Sequence, residues 1–301
     1  MLVLPLAFDS LGVRSQSTFI QTDDLNIHID PAVALAPRRF GLPPHRVEVE
    51  RLYELASAVE EYLRDSDVVI ITHYHYDHHD PGRVISIENY RGKTVILKDP
   101  HERINVSQRI RASRFIKRIS NYARKVEIGD SREYVFGKTK ISFSKPVPHG
   151  VDDKLGYVIE VLIDDGEKSV LYTSDVEGPV LKEQVDFILK HKPDLLIVDG
   201  PLTYMLGYRF SMEDLNASIR YLKNIINVMT GKVVLLDHHV LRDRDYREKL
   251  SEVYSYAKAK KVSVISAAEF LGKQVDVLEV RRRELYEKEY APGKILFRND
   301  A

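Results

Sequence analysis

Residues 68–80 read VVIITHYHYDHHD, and this stretch decides which fold and which kind of site the chain forms. The apolar run Val68–Ile71 predicts a short buried strand. Four histidines and two aspartates follow within the next nine residues. Because His73 and His75 are two residues apart, an extended chain sends both side chains to the same side. Sites in open α/β folds gather at strand ends, so the sequence predicts a functional site directly after this strand.

The residue types in this cluster favour a metal site. Two imidazoles that converge on one point suit a divalent cation. Asp77 and His78 follow where we expect the chain to turn, and they could address a second point, so that two ions about 3.5–4 Å apart would be held. The chain has no cysteine, which leaves His, Asp and Glu as ligands and excludes disulfides. A solvated polar loop is the alternative, but crowded imidazolium charges would repel one another without a metal or an acid.

Composition limits the remaining possibilities. The 301 residues include 45 basic and 45 acidic side chains, and this balance gives no global attraction to nucleic acid or to an anionic membrane. No apolar run approaches a transmembrane length, so we expect no membrane partner and a cytoplasmic protein. Abundant Lys, Arg, Glu and Tyr without Cys is typical of a thermophile.

Strand and helix patterns alternate along the chain, with turn signals at Asp23–Asp24 and at residues 164–166. We expect helices from about Val47 to Leu63 and from Val180 to Lys190, and an unbroken strand over Tyr157–Ile163. Hairpins mixed with helices in both halves favour an α/β architecture in which two mixed sheets pack between outer helices.

The motif His73-Tyr74-His75-Tyr76-Asp77-His78 matches the HxHxDH signature of the metallo-β-lactamase superfamily of hydrolases, and the chain resembles an uncharacterised archaeal branch of it. The resemblance covers about residues 17–240. It implies an αββα sandwich of two mixed β-sheets flanked by helices, as a single domain over residues 1–301. Compared with many relatives, the chain has a helical insertion at about 32–66 and a charged C-terminal extension at about 273–301.

The resemblance also implies further site residues at later strand ends. Asp30 would orient a ligand or assist catalysis, and Asp77 would be catalytic as well as a ligand. His149 would complete the first metal site, Asp175 would bridge both metals, and the last ligand would be His238, with His239 as the alternative. The implied metal ligands are His73, His75, Asp77, His78, His149, Asp175 and His238.

The function implied by the resemblance is hydrolysis by a metal-bound, bridging hydroxide. Two Zn²⁺ ions are the default, and Fe or Mn suits the same ligands. The substrate would be an ester, lactone, amide or phosphodiester, and we expect a small molecule sooner than nucleic acid. A nuclease or RNA-processing enzyme with the same centre and a non-catalytic metal-binding regulator are the alternatives. The oligomeric state is left open.

Three further features have competing interpretations. His79 is expected at the surface, although it could be a spare ligand. The loop with Tyr204, Tyr208 and Arg209 is expected to be a simple turn, although it could line the cleft. The stretch 109–125, RIRASRFIKRISNYARK, carries seven positive charges and no acid. We interpret it as part of a helix over about 104–124 with a solvated basic face, and a stripe that follows phosphates is the alternative.

Overall fold

The structure, a computed structural model, describes residues 1–289, and within them two β-sheets lie between helices. The first sheet has its six strands in chain order: β1 (Leu2–Phe8), β2 (Gln16–Gln21), β3 (Asn26–Ile29), β4 (Val68–Ile71), β5 (Thr94–Leu97) and β6 (Lys125–Ile128). The second sheet has the order β15-β14-β13-β12-β11-β8-β7, formed by β7 (Glu133–Phe136), β8 (Thr139–Phe143), β11 (Val161–Asp164), β12 (Ser169–Tyr172), β13 (Leu195–Asp199), β14 (Val233–Asp237) and β15 (Ser263–Ile265). The short strands β9 (Val147–Pro148) and β10 (Tyr157–Val158) pair separately.

Both sheets are mixed. Strands β1 to β3 are antiparallel and β3 to β6 are parallel. In the second sheet β7, β8, β11 and β12 are antiparallel, and β12 to β15 are parallel. The helices are α1 (Arg46–Arg64), α2 (Val106–Ile119), α3 (Asp186–His191), α4 (Met212–Val228), α5 (Tyr246–Lys249), α6 (Ser251–Ala259), α7 (Ala267–Phe270) and α8 (Leu278–Glu289).

Two apolar clusters hold these layers together. The first joins strand residues of both sheets, such as Ile70 and Ile197, to Leu55 of α1 and Phe115 of α2. The second packs the outer side of the second sheet against other helices and includes Leu222 of α4 and Val253 of α6. Apolar residues on both faces of each sheet need cover on both sides, and the resulting αββα sandwich confirms the predicted fold class.

Parallel pairing places several strand ends at one edge. Ile29 of β3 pairs with Ile70 of β4, and Asp199 of β13 pairs with Asp237 of β14. The chain leaves this edge at once, because Asp30, Ser174 and His238 all have positive φ, at 48°, 59° and 65°. Positive φ is uncommon outside glycine, so the sharp turns at this edge are a specific feature of the chain.

Three predicted elements are wrong in extent. The helix expected over about 104–124 is α2, which begins at Val106 and ends at Ile119. The strand expected over Tyr157–Ile163 is interrupted between β10 and β11, because the register against the preceding segment shifts by one residue there and the Ile159 N–H donates to the Thr72 carbonyl at 3.2 Å. The interruption buries Glu160, whose carboxyl oxygens have no hydrogen-bond partner among residues 1–289.

The helix expected over Val180–Lys190 is reduced to α3 and a short 3₁₀ turn at Lys182–Gln184. The reason is the side chain of Gln184. Its amide oxygen accepts from Val180 and Leu181, and its nitrogen donates to the carbonyls of Pro148 and Gly150 at 2.9 and 2.8 Å. These bonds hold the segment open against the loop that carries His149.

The described part of the charged C-terminal segment packs on the protein. Arg282 of α8 forms two ion-pair contacts with Glu48 of α1, at 2.7 and 2.8 Å, and both side chains are fully buried. The rest of the predicted extension, residues 290–301, lies outside the described residues. Among residues 1–289, no helix combines the length and the apolar character that crossing a bilayer requires. The cytoplasmic location stays a prediction.

Candidate metal centre

The shared sheet edge brings all seven predicted ligand residues together. His73, His75, His149 and Asp175 form one group whose donor atoms lie within 4.8 Å of one another. Asp77, His78 and His238 form a second such group. The side chains come from the loop after β4, the segment after β9, the turn after β12 and the end of β14. Strand pairing therefore assembles residues that are up to 165 positions apart in sequence (238 − 73).

Asp175 lies between the two groups. Its Oδ2 is 3.5 Å from Nε2 of His73 and 3.1 Å from Nε2 of His149. Its Oδ1 is 2.9 Å from Nε2 of His78 and 3.3 Å from Nε2 of His238. Each carboxylate oxygen thus faces a different set of imidazoles, which is the arrangement that a carboxylate shared by two cations requires.

The donor atoms fit divalent cations. His73 Nε2 is buried and makes no hydrogen bond within the described residues, while the buried Nε2 of His78 and Oδ1 of Asp175 face each other as an ion pair at 2.9 Å. Buried polar atoms normally have a partner, and a cluster of imidazole nitrogens around a carboxylate is a donor set that suits Zn²⁺ and related metals. We conclude that the residues fit two cations, one on each side of Asp175.

Asp30 has a different position. Its carboxylate accepts hydrogen bonds from the Thr72 backbone and hydroxyl and from the Tyr172 hydroxyl, at 2.5–2.8 Å. It also contacts Nδ1 of His78 at 2.7 Å. With its lone pairs used in this way, Asp30 is suited to fix the ring of His78, so that Nε2 of His78 faces Asp175.

The two candidates for the last ligand are held by different carboxylates. Nδ1 of His238 contacts Asp9 at 2.7 Å, which leaves its Nε2 facing Asp175. Nδ1 of His239 contacts Asp199 at 2.9 Å, and its Nε2 is 3.9 Å from Glu177. Both histidines form a group with Asp175 whose donor atoms lie within 4.8 Å of one another, and of the two only His238 also belongs to the group with Asp77 and His78. His239 also lines the cleft.

Asp9, Asp199 and Glu177 were not anticipated from the sequence. Asp9 directly follows β1 and Asp199 ends β13, so the rule that acids at strand ends mark a site would have found both. Glu177 belongs to no recognisable pattern. Its carboxylate lies 3.6 Å from Nδ1 of His149, next to Gly150, which has a φ of 86°. A Cβ atom on Gly150 would collide with the Glu177 carboxylate, so glycine permits this close approach.

The structure corrects the interpretation of His79. The side chain is buried, not at the surface; Nδ1 contacts the His75 carbonyl at 2.8 Å, and the ring packs on Phe115. Tyr204 and Arg209 line the cleft, although a simple turn was expected there. Arg242 is buried as well. Its Nε donates to Asp9 at 2.8 Å, and its guanidinium lies 3.8 Å from Asp77.

Electrostatics couple the two sides of the centre. Burial alone would lower the pKa of His78, but the Asp175 and Asp30 carboxylates outweigh it and raise that pKa well above its usual value. Burial would raise the pKa of Asp175, but His78 and His238 hold it well below its usual range. Asp175 is therefore ionised at neutral pH, as a bridging ligand must be.

Two archaeal proteins match almost the whole chain. The UPF0282 proteins of Sulfurisphaera tokodaii and Metallosphaera sedula are each 50% identical to it over 297 residues, which is 98% of this chain and 96% of each relative. The chain belongs to the UPF0282 family. No protein-family model matches it.

Solved structures show the fold of this UPF0282 protein. The metallo-β-lactamase fold protein YhfI of Bacillus subtilis aligns with a TM-score of 0.50 at 15% identity, over 88% of this chain and 95% of that one. Yeast PDE1 aligns with a TM-score of 0.53 at 13% identity, over 88% and 97%. CmlA of Streptomyces venezuelae, a diiron β-hydroxylase, aligns with a TM-score of 0.50 at 14% identity, over 85% and 51%. The metallo-β-lactamase fold confirms the resemblance drawn from the HxHxDH motif.

Proposed function

We propose that this UPF0282 protein is a hydrolase that depends on a pair of divalent metal ions. The observation that carries the proposal is the position of Asp175, whose two oxygens face separate histidine groups. His73, His75 and His149 would hold one ion together with Asp175. Asp77, His78 and His238 would hold the other.

Zn²⁺ is the default metal for these ligands, and Fe or Mn is compatible with them. When bound, such ions lower the pKa of a coordinated water from far above neutrality toward about 7 and polarise the substrate oxygen under attack. The scissile bond would belong to an ester, lactone, amide or phosphodiester. Of these, the phosphodiester is the one that the basic residues next to the cleft favour.

Asp77 is suited to orient the attacking water and accept its proton. Its side chain is 17% exposed, in contrast to the buried Asp175, and it forms no hydrogen bond with any residue of 1–289. Burial would raise the pKa of Asp77, but His78, His238 and Arg242 keep it below its usual value. The carboxylate is therefore ionised and open to the cleft, as a general base must be.

The cleft beside Asp77 has room for a small substrate. It has a volume of about 340 Å³ and is lined on its far wall by Tyr204, Arg209 and His239. His239 is held by Asp199, so its Nε2 has a fixed position in this wall. Burial lowers the pKa of His239 well below its usual value, so the neutral ring is suited to form a hydrogen bond with a substrate and not to protonate a leaving group.

The test is turnover by protein reconstituted with Zn²⁺, Mn²⁺ or Fe²⁺. The substrates are a p-nitrophenyl ester, a lactone, an amide and bis(p-nitrophenyl) phosphate. We expect turnover of at least one of them by the wild type and a loss of 100-fold or more in Asp175→Ala. Asp245→Ala changes an exposed aspartate and serves as the matched control, with unchanged turnover. Metal-loaded wild type without a measurable rate on any substrate would contradict the proposal and favour a metal-binding regulator.

A further inference from the structure

We infer that the substrate is a phosphodiester carrying at least one more phosphate, and that this second phosphate binds a basic groove next to the metal cleft. The basic groove is the depression lined by Arg83, Arg111, Arg114, Lys117 and Arg118, with a volume of about 630 Å³. The inference rests on the proposed function and specifies its substrate class.

The basic groove and the metal cleft share two wall residues. Tyr76 and Arg111 line both, and Tyr76 lies between the metal ligands His75 and Asp77 in sequence. A substrate whose scissile bond lies at Asp77 could therefore extend past Tyr76 into the groove. This continuity separates the groove from an ordinary charged surface far from any site.

The shared wall is fixed in place. The guanidinium of Arg83 lies 3.8 Å from the centre of the Tyr76 ring, and that of Arg111 lies 4.6 Å from it. His79 stacks on the same ring at 5.4 Å. Arg111 also donates to the Tyr74 carbonyl at 3.3 Å, and Arg118 donates to the Pro81 carbonyl. Two arginines are thus positioned by the loop that supplies the metal ligands.

The charges of the groove are not neutralised by the protein. Helix α2 carries five basic residues and no acid. Arg83, Arg111, Arg114, Lys117 and Arg118 form no ion pair with any residue of 1–289. Exposed cations elsewhere differ in this respect: Arg46 of α1 pairs with Glu50, whereas Lys258 of α6 forms no ion pair with any residue of 1–289. The groove differs from such single cations because five of them line one depression. A solvated face would tolerate ion pairs, whereas a surface that binds an anion must leave its cations available.

The spacing of the cations suits phosphates in series. Arg111, Arg114 and Lys117 are three residues apart, so they follow one another along α2 at intervals of about 4.5 Å. Arginine binds phosphate with two parallel N–H donors, and a row of such side chains is the usual means of holding a phosphate backbone. A neutral ester or lactone would gain nothing from this row, which is why we place a phosphorylated substrate there.

Two molecules carry the required chemistry, a short phosphorylated compound of dinucleotide size and a single-stranded nucleic acid. The probes are a fluorescent 5′-phosphorylated dinucleotide and a fluorescent single-stranded 12-mer, and binding to zinc-loaded protein is measured by anisotropy at several salt concentrations. The variant is Arg114→Ala/Lys117→Ala, which changes exposed residues outside the metal centre. The matched control is Lys258→Ala/Lys260→Ala, which removes the same charge from the exposed face of α6.

We expect the groove variant to bind the 12-mer at least tenfold more weakly, and its slope of log K against log salt to fall by about 1.4, or about 0.7 for each lost phosphate contact. The control should bind like the wild type. If the groove variant loses as much affinity for the dinucleotide as for the 12-mer, the ligand of the groove is the short compound. If it loses affinity only for the 12-mer, the ligand is nucleic acid. Groove-variant binding equal to that of the wild type for both probes would overturn the inference.

Turnover of bis(p-nitrophenyl) phosphate separates this inference from the proposed function. That substrate has one phosphate and no tail, so the groove variant should cleave it at the wild-type rate. Cleavage by the wild type without any groove-dependent binding would refute the groove and leave the hydrolase. Groove-dependent binding without cleavage of any phosphodiester would refute the hydrolase and leave an anion-binding groove. A parallel loss of bis(p-nitrophenyl) phosphate cleavage in the groove variant would also count against the inference.

Discussion

The neighbouring residues His238 and His239 differ in the carboxylate that holds each ring, and this difference is the basis for the different roles that we propose for them. Asp9 orients the first so that its Nε2 faces Asp175, whereas Asp199 orients the second toward the side of the cleft. The sequence alone left these two histidines as alternatives, since both directly follow β14. The choice depends on two acids that lie 229 and 40 residues away in sequence, and such long-range contacts leave no local pattern.

Alanine substitutions at these two positions should have different effects on the metal. His238→Ala removes a ligand, so we expect about one ion less per chain by elemental analysis, because a ligand-deficient site binds weakly. His239→Ala should keep both ions, because Asp199 holds Nδ1 of this ring and its Nε2 lies beside Glu177. The two variants serve as controls for each other. Full metal content in His238→Ala with a deficit in His239→Ala would reverse the assignment.

The clustering of the HxHxDH residues was predictable because they lie within six residues and directly follow a recognisable strand. His149 and Asp175 could be named from the order of motifs that the resemblance implies. Asp9 and Glu177 could not, since a single acid after a strand or in a loop is common in any sequence. The hydrogen bonds of Asp30 likewise depend on Tyr172, a residue of the other sheet.

At the scale of elements, helices with local signals were predicted better than segments held by distant contacts. The bounds of α1 were predicted within one residue at each end, because His45 and Glu48 cap its start and Asp65 follows its last turn. The shortened α3 was not anticipated. Its preceding segment is held by Gln184, whose partners Pro148 and Gly150 lie more than thirty residues earlier.

The link between β10 and β11 provides a test of pH dependence. Burial raises the pKa of Glu160 well above the ordinary value of 4.5. The folded protein therefore retains a proton that the unfolded chain releases, so wild-type stability declines as pH rises from about 4.5 toward the folded-state pKa. Glu160→Gln removes this decline. As pH rises, we expect the free energy of unfolding of Glu160→Gln to exceed that of the wild type by a margin that grows by up to about 1.4 kcal/mol per pH unit.

Urea unfolding of metal-free wild type and Glu160→Gln at several pH values between 4.5 and 8 measures this advantage. The exposed Glu167→Gln is the matched control and should follow the wild type. An advantage of Glu160→Gln that does not change with pH, or a variant less stable than the wild type at pH 7, would show that the Glu160 carboxyl is not neutral in the folded protein.

The contact between α1 and α8 makes a second prediction at this scale. Arg282→Ala leaves Glu48 buried without its partner, and the loss of one member of a buried ion pair typically costs about 3–5 kcal/mol. Urea unfolding should show a loss of that size. Arg46→Ala breaks an exposed ion pair with Glu50, and both of these residues belong to α1. We expect this variant to lose only about 0.3–0.5 kcal/mol of the free energy of unfolding. Similar losses in the two variants would mean that α8 does not depend on this ion pair.

At the scale of the whole molecule, the fold explains why distant motifs meet. Two mixed sheets pack face to face, and the parallel strands of both end at the edge where the metal ligands collect. The alternation of strands and helices predicted this architecture. The zero net charge did not predict the basic groove, because a whole-chain sum hides a local excess on α2.

The central claim is that Asp175 joins two metal ions into one centre, and metal stoichiometry tests it most directly. Protein reconstituted with Zn²⁺, freed of excess metal and analysed by mass spectrometry of the elements should contain two zinc ions per chain. Asp175→Ala should contain fewer than two, because both sites lose a ligand, while Asp245→Ala should match the wild type. Wild-type protein that retains one zinc ion or none after reconstitution would contradict the account.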